Sequence, residues 1–248
     1  MSVSKYYTKL VKDQTKYSAT WLPTITLSPG DVGRISDYQF QLLTNLKQLG
    51  IPFETTSGNT QLDFTSALND GYSFKVKGVG EAPLADSGLA EAEAGISVKF
   101  SRENQVLFNF SKCKSTILKD QFSVEKEMLA RYDSGNWQDD LVVVTEVLHS
   151  KAGTIIISGG SNAGIDLVAN GNLGKDQLNL ASVEADFKIK KESGISTRII
   201  ASKNLTPLFK AIGIDKRPLK KRRVILHGPE GMKIPIVRNV DYEDYSSF

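Results

Sequence analysis

A chain of 248 residues with 40% hydrophobic and 24% charged residues has the length and composition to build a real core as one large or two small domains, and is not that of a disordered protein. Its net charge of +3 is too small to make nucleic acid the default partner, and its one cysteine, Cys113, rules out an internal disulfide and fits a reducing compartment. No apolar run approaches the roughly 18 residues of a membrane-spanning helix, and the polar start Met1–Leu10 carries no secretory pattern, so any membrane contact is expected through β-structure, an amphipathic face or charge.

In chain order, Val3, Tyr7 and Leu10 predict a short amphipathic helix over Val3–Val11. Trp21-Leu22-Pro23 and Ser28-Pro29-Gly30-Asp31 read as extended chain and turn. Val32–Ile35 and Gln39–Leu42 predict a hairpin around Asp37-Tyr38, and Leu42, Leu43, Leu46 and Leu49 predict a helix stopped by Gly50. Gly58–Gly71 reads as polar loop.

Tyr72–Ser111 is the first of two long β-rich stretches. Ile96, Val98 and Phe100 alternate with Ser97 and Lys99, and Val106, Phe108 and Phe110 follow at the same spacing. Such alternation places one strand face on a core and the other in water. The acid- and alanine-rich piece Leu84–Gly95 reads as a connector between strands. Asp120 is positioned to cap a helix whose Val124, Met128 and Tyr132 share a face, ended by Gly135. Leu141–Leu148 opens the second β stretch with the densest β-branched run of the chain. Thr154–Ser158, a glycine-rich turn and Ile165–Ala169 follow, then a hairpin of Val183–Lys191 with Ile195–Ala201 around Glu192-Ser193-Gly194. Thr206-Pro207-Leu208-Phe209 predicts a short helix with Thr206 as its cap. The order of elements predicts an α+β fold, a twisted and mostly antiparallel β-sheet with peripheral α-helices.

Chemical signatures are sparse. Gly159 and Gly164 have the spacing of a phosphate loop, but Ile165 and Asp166 stand where a lysine and a hydroxyl would be needed. Ser123-x-x-Lys126 lacks the partner elements of a serine hydrolase. His149 and His227 have neither a second histidine nor a cysteine at ligand spacing. No catalytic residue, metal or cofactor is therefore expected, and the chain reads as a non-enzyme. The basic cluster Lys216, Arg217, Lys220, Lys221, Arg222 and Arg223 is more pointed, because six positive charges within eight residues attract phosphate backbones or lipid headgroups. The acidic, aromatic Asp241–Tyr245 could fold back on basic surface.

Ala94-Gly95-Ile96-Ser97-Val98 leading to Val106–Phe110, Leu141–Ser150, Thr154–Ser158 with Gly159-Gly160 and Ile165-Asp166-Leu167, and the Val183–Ala201 hairpin together resemble the gasdermin pore-forming domain, in particular its short bacterial and fungal members. The likeness is one of layout and apolar pattern and covers about Tyr38 to Ala201. Asn45–Leu49 sits where that family has a short leucine-bearing helix. The resemblance implies a single pore-forming domain over 1–225 and a C-terminal tail, 226–248, as the inhibitory segment. It also implies a cell-death or defence protein that is cytoplasmic while inactive, is released by a protease or a partner contact, and then acts at the membrane. Tyr72–Phe110 and Thr154–Ala201 would supply two inserting hairpins in a large homo-oligomer. Their lipid-facing residues would be Ile96, Val98, Phe100, Val106, Phe108, Phe110, Phe187, Ile189, Ile195 and Ile199, and Lys216–Arg223 would meet anionic headgroups without nucleic acid. Bacterial members often carry an acylated cysteine near the N-terminus; this chain has none before Cys113. The alternative reading is a soluble binding module that uses the basic cluster 216–223 to hold nucleic acid or an acidic partner.

Overall fold

The β-branched run at Val142–Val144 continues without a break to Ser158, and the rest of the chain is assembled on this strand of 18 residues. The structure is a computed structural model that describes residues 2–66, 71–170, 174–181, 186–215, 236–240 and 242. Its elements are α1 (Val3–Thr15), β1 (Ser18–Ala19), β2 (Asp31–Ser36), β3 (Gln39–Asn45), β4 (Thr55–Ser57), β5 (Leu62–Thr65), β6 (Tyr72–Lys77), β7 (Gly95–Phe100), β8 (Val106–Leu118), α2 (Gln121–Asp133), β9 (Leu141–Ser158), β10 (Gly164–Val168), β11 (Lys188–Ser193), β12 (Ile195–Asp215) and β13 (Ile236–Val240). The fold is α+β with antiparallel pairing throughout these strands. The larger sheet runs β1-β12-β9-β2-β3, with β8 also on β9, β4 and β5 on β8, and β13 on β12; the smaller sheet runs β11-β10-β7-β6.

Three cores fix the arrangement. Tyr7 and Val11 of α1 pack on Val106, Phe108, Phe110, Ile155 and Ile157 of the larger sheet. Val124 and Met128 of α2 pack with Val143, Ile212 and Ile214. Between the sheets, Leu107 and Ile156 meet Ile96, Val98, Phe100, Ile165 and Leu167. Both helices are capped as their sequences dictate: the Ser2 hydroxyl accepts from the Lys5 amide at 3.3 Å, and the Asp120 carboxylate accepts from the Ser123 amide at 3.0 Å.

The hairpin at Asp37-Tyr38 forms with both residues in the left-handed region, φ 49° and 61°, as a tight hairpin turn between right-twisted strands requires. Other expectations are corrected. Leu42 and Leu43 lie in β3 and are half exposed, while Leu46 is the leucine that enters the core. Pairing to β2 overrides the helical spacing, and Gly50, φ 74°, serves a turn that closes Leu46 and Ile51 on each other. Gly58–Gly71 is not wholly loop: β5 pairs with β8, aligning Phe64 with Phe110. Thr206–Phe209 is strand, not helix. Pro207 sits where the β12–β9 register shifts between Leu205 and Leu208, the bulge position that tolerates a missing donor. The Thr206 hydroxyl instead donates to the Ile25 carbonyl at 2.5 Å.

Across the middle of the larger sheet, Glu146 on β9 accepts from Tyr17 and Ser115 on one carboxylate oxygen and from Lys210 on the other, each at 2.8 Å. Burial works to raise the pKa of this carboxyl. The hydrogen bonds from Lys210, Ser115 and Tyr17, with the Lys210 charge, outweigh burial and hold it below the ordinary glutamate value. A folded-state pKa below the unfolded one gives stability that is present above about pH 4.3 and is lost as pH falls through the folded value. Glu146→Gln should therefore lower the urea midpoint at pH 7 and flatten the acid limb of the stability profile; an acid limb as steep as that of the wild type would contradict this assignment.

Candidate functional site

The two sheets share more than a core. Strands β7 and β8 do not pair with each other as a hairpin; they are one path that leaves the smaller sheet at Phe100 and enters the larger at Val106. β9 and β10 make the same crossing in the opposite direction. Lys99 pairs with Gly164 and Val106 with Ile157, so seven residues forward on one path match seven residues back on the other. The ladder passes through the corner: the Phe100 amide donates to the Ala163 carbonyl at 2.8 Å, and the Ser158 amide to the Gln105 carbonyl at 2.9 Å.

The outer paths follow suit. β5 and β6 flank β8 and β7 in turn, with the Ser66 amide on Phe108 and the Ser101 amide on Gly71. β11 and β12 flank β10 and β9, joined at the bend by the Gly159 amide on the Gly194 carbonyl at 2.7 Å. The expected Val183–Ala201 hairpin is thus corrected. Its strands β11 and β12 are consecutive but pair with β10 and β9 in different sheets, and residues 183–185 lie outside the described ones. The whole is a four-path antiparallel ribbon folded over on itself.

The fold is made by rotation as well as by bending. Ile96, Val98 and Phe100 face the core between the sheets, whereas Val106, Phe108 and Phe110 face α1. Both sets have the same residue parity, so the path turns over between them. Asn104 and Asn162, both with φ 60°, and Gly194, φ 63°, supply left-handed residues at three of the four corners; residues 67–70 of the β5–β6 corner lie outside the described ones. Cross-strand neighbours are apolar on both sides of the bend: Tyr72/Phe100, Phe74/Val98, Val76/Ile96 and Ile96/Leu167 on one side, Val106/Ile157 and Phe108/Ile155 on the other.

The ten residues expected to face lipid therefore fall in two groups. Ile96, Val98, Phe100, Val106, Phe108 and Phe110 are buried. Phe187 and Ile195 are half-buried against the core between the sheets, Ile199 is half-buried against the α1 core, and Ile189 is 42% exposed on β11. Arg198, which alternation alone leaves without a place, ion-pairs with Glu192 at 2.7 Å. Lys216, Arg217, Lys220, Lys221, Arg222 and Arg223 lie outside the described residues. They belong to the connection between Asp215 and Ile236, which pair at the open end of β12 and β13.

Three features escaped the sequence reading. Residues 78–94, the connection between β6 and β7, lie on the outer side of the smaller sheet. The Gly88 amide donates there to Asp166 at 2.7 Å, and Glu93 ion-pairs with Lys190 at 2.6 Å. Ala90, Ala92 and Ala94 continue the parity of Ile96, Val98 and Phe100, while Glu91 and Glu93 continue that of Ser97 and Lys99; the small side chains masked this alternation. Lys5, Lys9 and Lys12 recur at helical spacing on α1, away from buried Tyr7 and Val11, with Lys16 following as the left-handed C-cap, and Lys9 and Lys12 line a pocket of about 150 Å³ together with Tyr38 and Tyr242. Tyr242 itself is buried edge-on against Phe209, 6.1 Å between rings, with its hydroxyl donating to the Ala19 carbonyl. Its ring also meets that of Tyr38, 6.1 Å between centroids.

Nothing in this arrangement is set up as a nucleophilic centre. Ser123 donates to its own helix cap, Asp120, at 2.6 Å, and burial pushes the Cys113 thiol up to about 11. Burial lowers the pKa of His149. Gly159–Gly164 forms a sheet-to-sheet corner. Among the described residues there is no cluster of ligands that could hold a metal ion. No known family matches the chain, and no curated protein matches it.

If Tyr242 anchors the C-terminal strand, Tyr242→Ala should speed amide exchange at Val237–Val240 by at least about tenfold while leaving the Val142–Val147 amides protected. Equal acceleration in both would show a general loss of stability instead.

Proposed function

We propose that this chain is a pore-forming protein of the gasdermin kind, non-enzymatic, held inactive by its C-terminal segment and converted at an anionic membrane into a large homo-oligomer with β-strands in the bilayer. The observation that carries the reading is the ladder that keeps its register through the corner. A ribbon so built straightens by returning Asn104, Asn162 and Gly194 to extended backbone, without re-pairing β7–β8 against β9–β10.

Straightening would also join the two apolar bands on one face, because Ile96, Val98, Phe100, Val106, Phe108 and Phe110 share a parity, as do Ile155, Ile157, Ile165 and Leu167. Ile189 and Ile199 would join them through their partners Leu167 and Ile155. The polar residues Arg102 and Asn104 fall between the bands, at the corner. We place them at headgroup level and the crossing on the far side, where Ala90–Phe100 alternates over eleven residues. A transmembrane β-strand needs about 9–11. Backbone edges exposed to lipid are excluded, so such a ribbon is stable in a bilayer only when copies close a ring.

Two basic segments would meet anionic headgroups: Lys5, Lys9 and Lys12 of α1 with its C-cap Lys16, and the sequence cluster Lys216–Arg223. Each lysine or arginine near such a surface contributes on the order of 1 kcal/mol, lost beyond a Debye length. In this reading the protein is cytoplasmic until activated and acts in cell death or defence. After a cut at Arg223 the described residues that would still hold the tail are β13 and Tyr242.

Dye release from anionic liposomes tests the reading. The full-length chain should be silent or slow, and a chain cleaved after Arg223 should release dye and form ring-like oligomers. Release by both would show that the tail is not the restraint. Monomeric behaviour and silence by both, on anionic and neutral vesicles alike, would overturn the pore reading.

A further inference from the structure

Lys77, the last residue of β6, is fully buried, an uncommon place for a lysine and one that demands partners. Its ammonium group donates to the Glu93 carbonyl at 2.7 Å, the Glu91 carbonyl at 2.8 Å and the Gly78 carbonyl at 3.2 Å. Three donors meet three acceptors, and every acceptor is a backbone carbonyl of the single connection 78–94. The side chains of that connection are tied elsewhere. The Glu93 carboxylate takes the Ala90 amide at 2.8 Å and the Lys190 ammonium, Leu89 is buried, and Asp86 reaches Lys99 at 3.7 Å.

We propose that Lys77 is the latch that holds residues 78–94 as a strap over the outer side of the smaller sheet, so that strap and lysine open together or not at all. The chemistry is reciprocal. A strap that lifted would strip the Lys77 ammonium of all three acceptors at once. A lysine that left while the strap stayed would leave three carbonyls without a donor. Carbonyls left covered without their donor cost free energy that opening to water avoids, which makes lysine and strap open together. The surface ion pairs Glu93–Lys190 and Asp86–Lys99 are more exposed and contribute far less. In an extended β6, Lys77 takes the parity of Ser73 and Lys75, the polar side of the strand. On the pore reading, on which this consequence rests, releasing the latch frees Ala90–Ala94 to lengthen β7.

Two measurements read the latch itself, without membranes. In the wild type, ¹H–¹⁵N spectra of the lysine ammonium groups should show a Lys77 signal protected from exchange with water; a Lys77 ammonium that exchanges as fast as surface lysines would overturn the proposal. In Lys77→Met, amide exchange across 79–94 should rise at least about tenfold with β9 unchanged, whereas Lys190→Ala should change it less than about threefold. Unchanged exchange in Lys77→Met, or an equal rise in β9, would overturn it as well. Dye release then separates the two levels. Faster release by cleaved Lys77→Met than by the cleaved wild type is the expected result. Equal release would refute the latch as a gate on the ribbon but leave the pore reading intact, and silence from both cleaved chains would refute the pore reading while the exchange data still decide the latch.

Discussion

A hydrogen-bonded ladder that turns a corner without losing its register is the constraint on which this structure depends. Because β7–β8 stay matched to β9–β10 through the bend, the smaller sheet is not an independent layer. It is the far half of the larger one, folded back. Of the four crossings, the three whose corners are fully described each use a residue with positive φ, Asn104, Asn162 or Gly194. Asparagine at two of the three tolerates the left-handed backbone at lower cost than other side chains, because its short polar group can bond locally.

What holds the ribbon folded is burial on both sides of the turnover. Phe108 and Phe110 stack at 5.3 Å beneath α1, while Phe100 and Val98 meet Leu107 and Ile156 between the sheets. Each fully buried aromatic or aliphatic side chain contributes about 1.5–3 kcal/mol, so the bent form is stabilised by the same apolar side chains that would need another apolar surface if the ribbon straightened. A lipid bilayer is such a surface. On the proposed reading, the restraints on such an exchange would be the strap on Lys77, the Glu146 network with Tyr17 and Lys210, and the burial of Tyr242.

Much of the fold was legible, and for identifiable reasons. The spacing of Val3, Tyr7 and Leu10 marks the first helix, Asp120 the start of the second, the Asp37-Tyr38 turn a hairpin, and the β-branched Leu141–Leu148 run the central strand, because each signal is local. The failures share a cause. The leucines at 42, 43, 46 and 49 carry helical spacing that pairing with β2 overrules. Pro207 reads as a helix start until the bulge beside it is known. The corner at 101–105 is silent in the sequence, because alternation reports the parity of a face and not which core that face meets. Within the candidate site, the apolar residues were legible one strand at a time. Their neighbours across the ladder, the Ala90–Ala94 continuation and the buried Lys77 depend on contacts between distant segments. The basic face of α1 was hidden behind its apolar one, which alone was used to identify the helix.

The central claim is that the Ala90–Phe100 half of the straightened path would cross the bilayer with the face of Ile96, Val98 and Phe100 on lipid. Single cysteines at Ile96, Ser97, Val98, Lys99 and Phe100, each in a Cys113→Ser background and labelled with an environment-sensitive fluorophore, would read this directly after cleavage in the presence of anionic liposomes. The account predicts alternation, with lipid-like emission and quenching by lipid-borne quenchers at 96, 98 and 100, and water-like emission at 97 and 99. Uniform emission along the segment, or emission unchanged from that of the protein without liposomes, would contradict it.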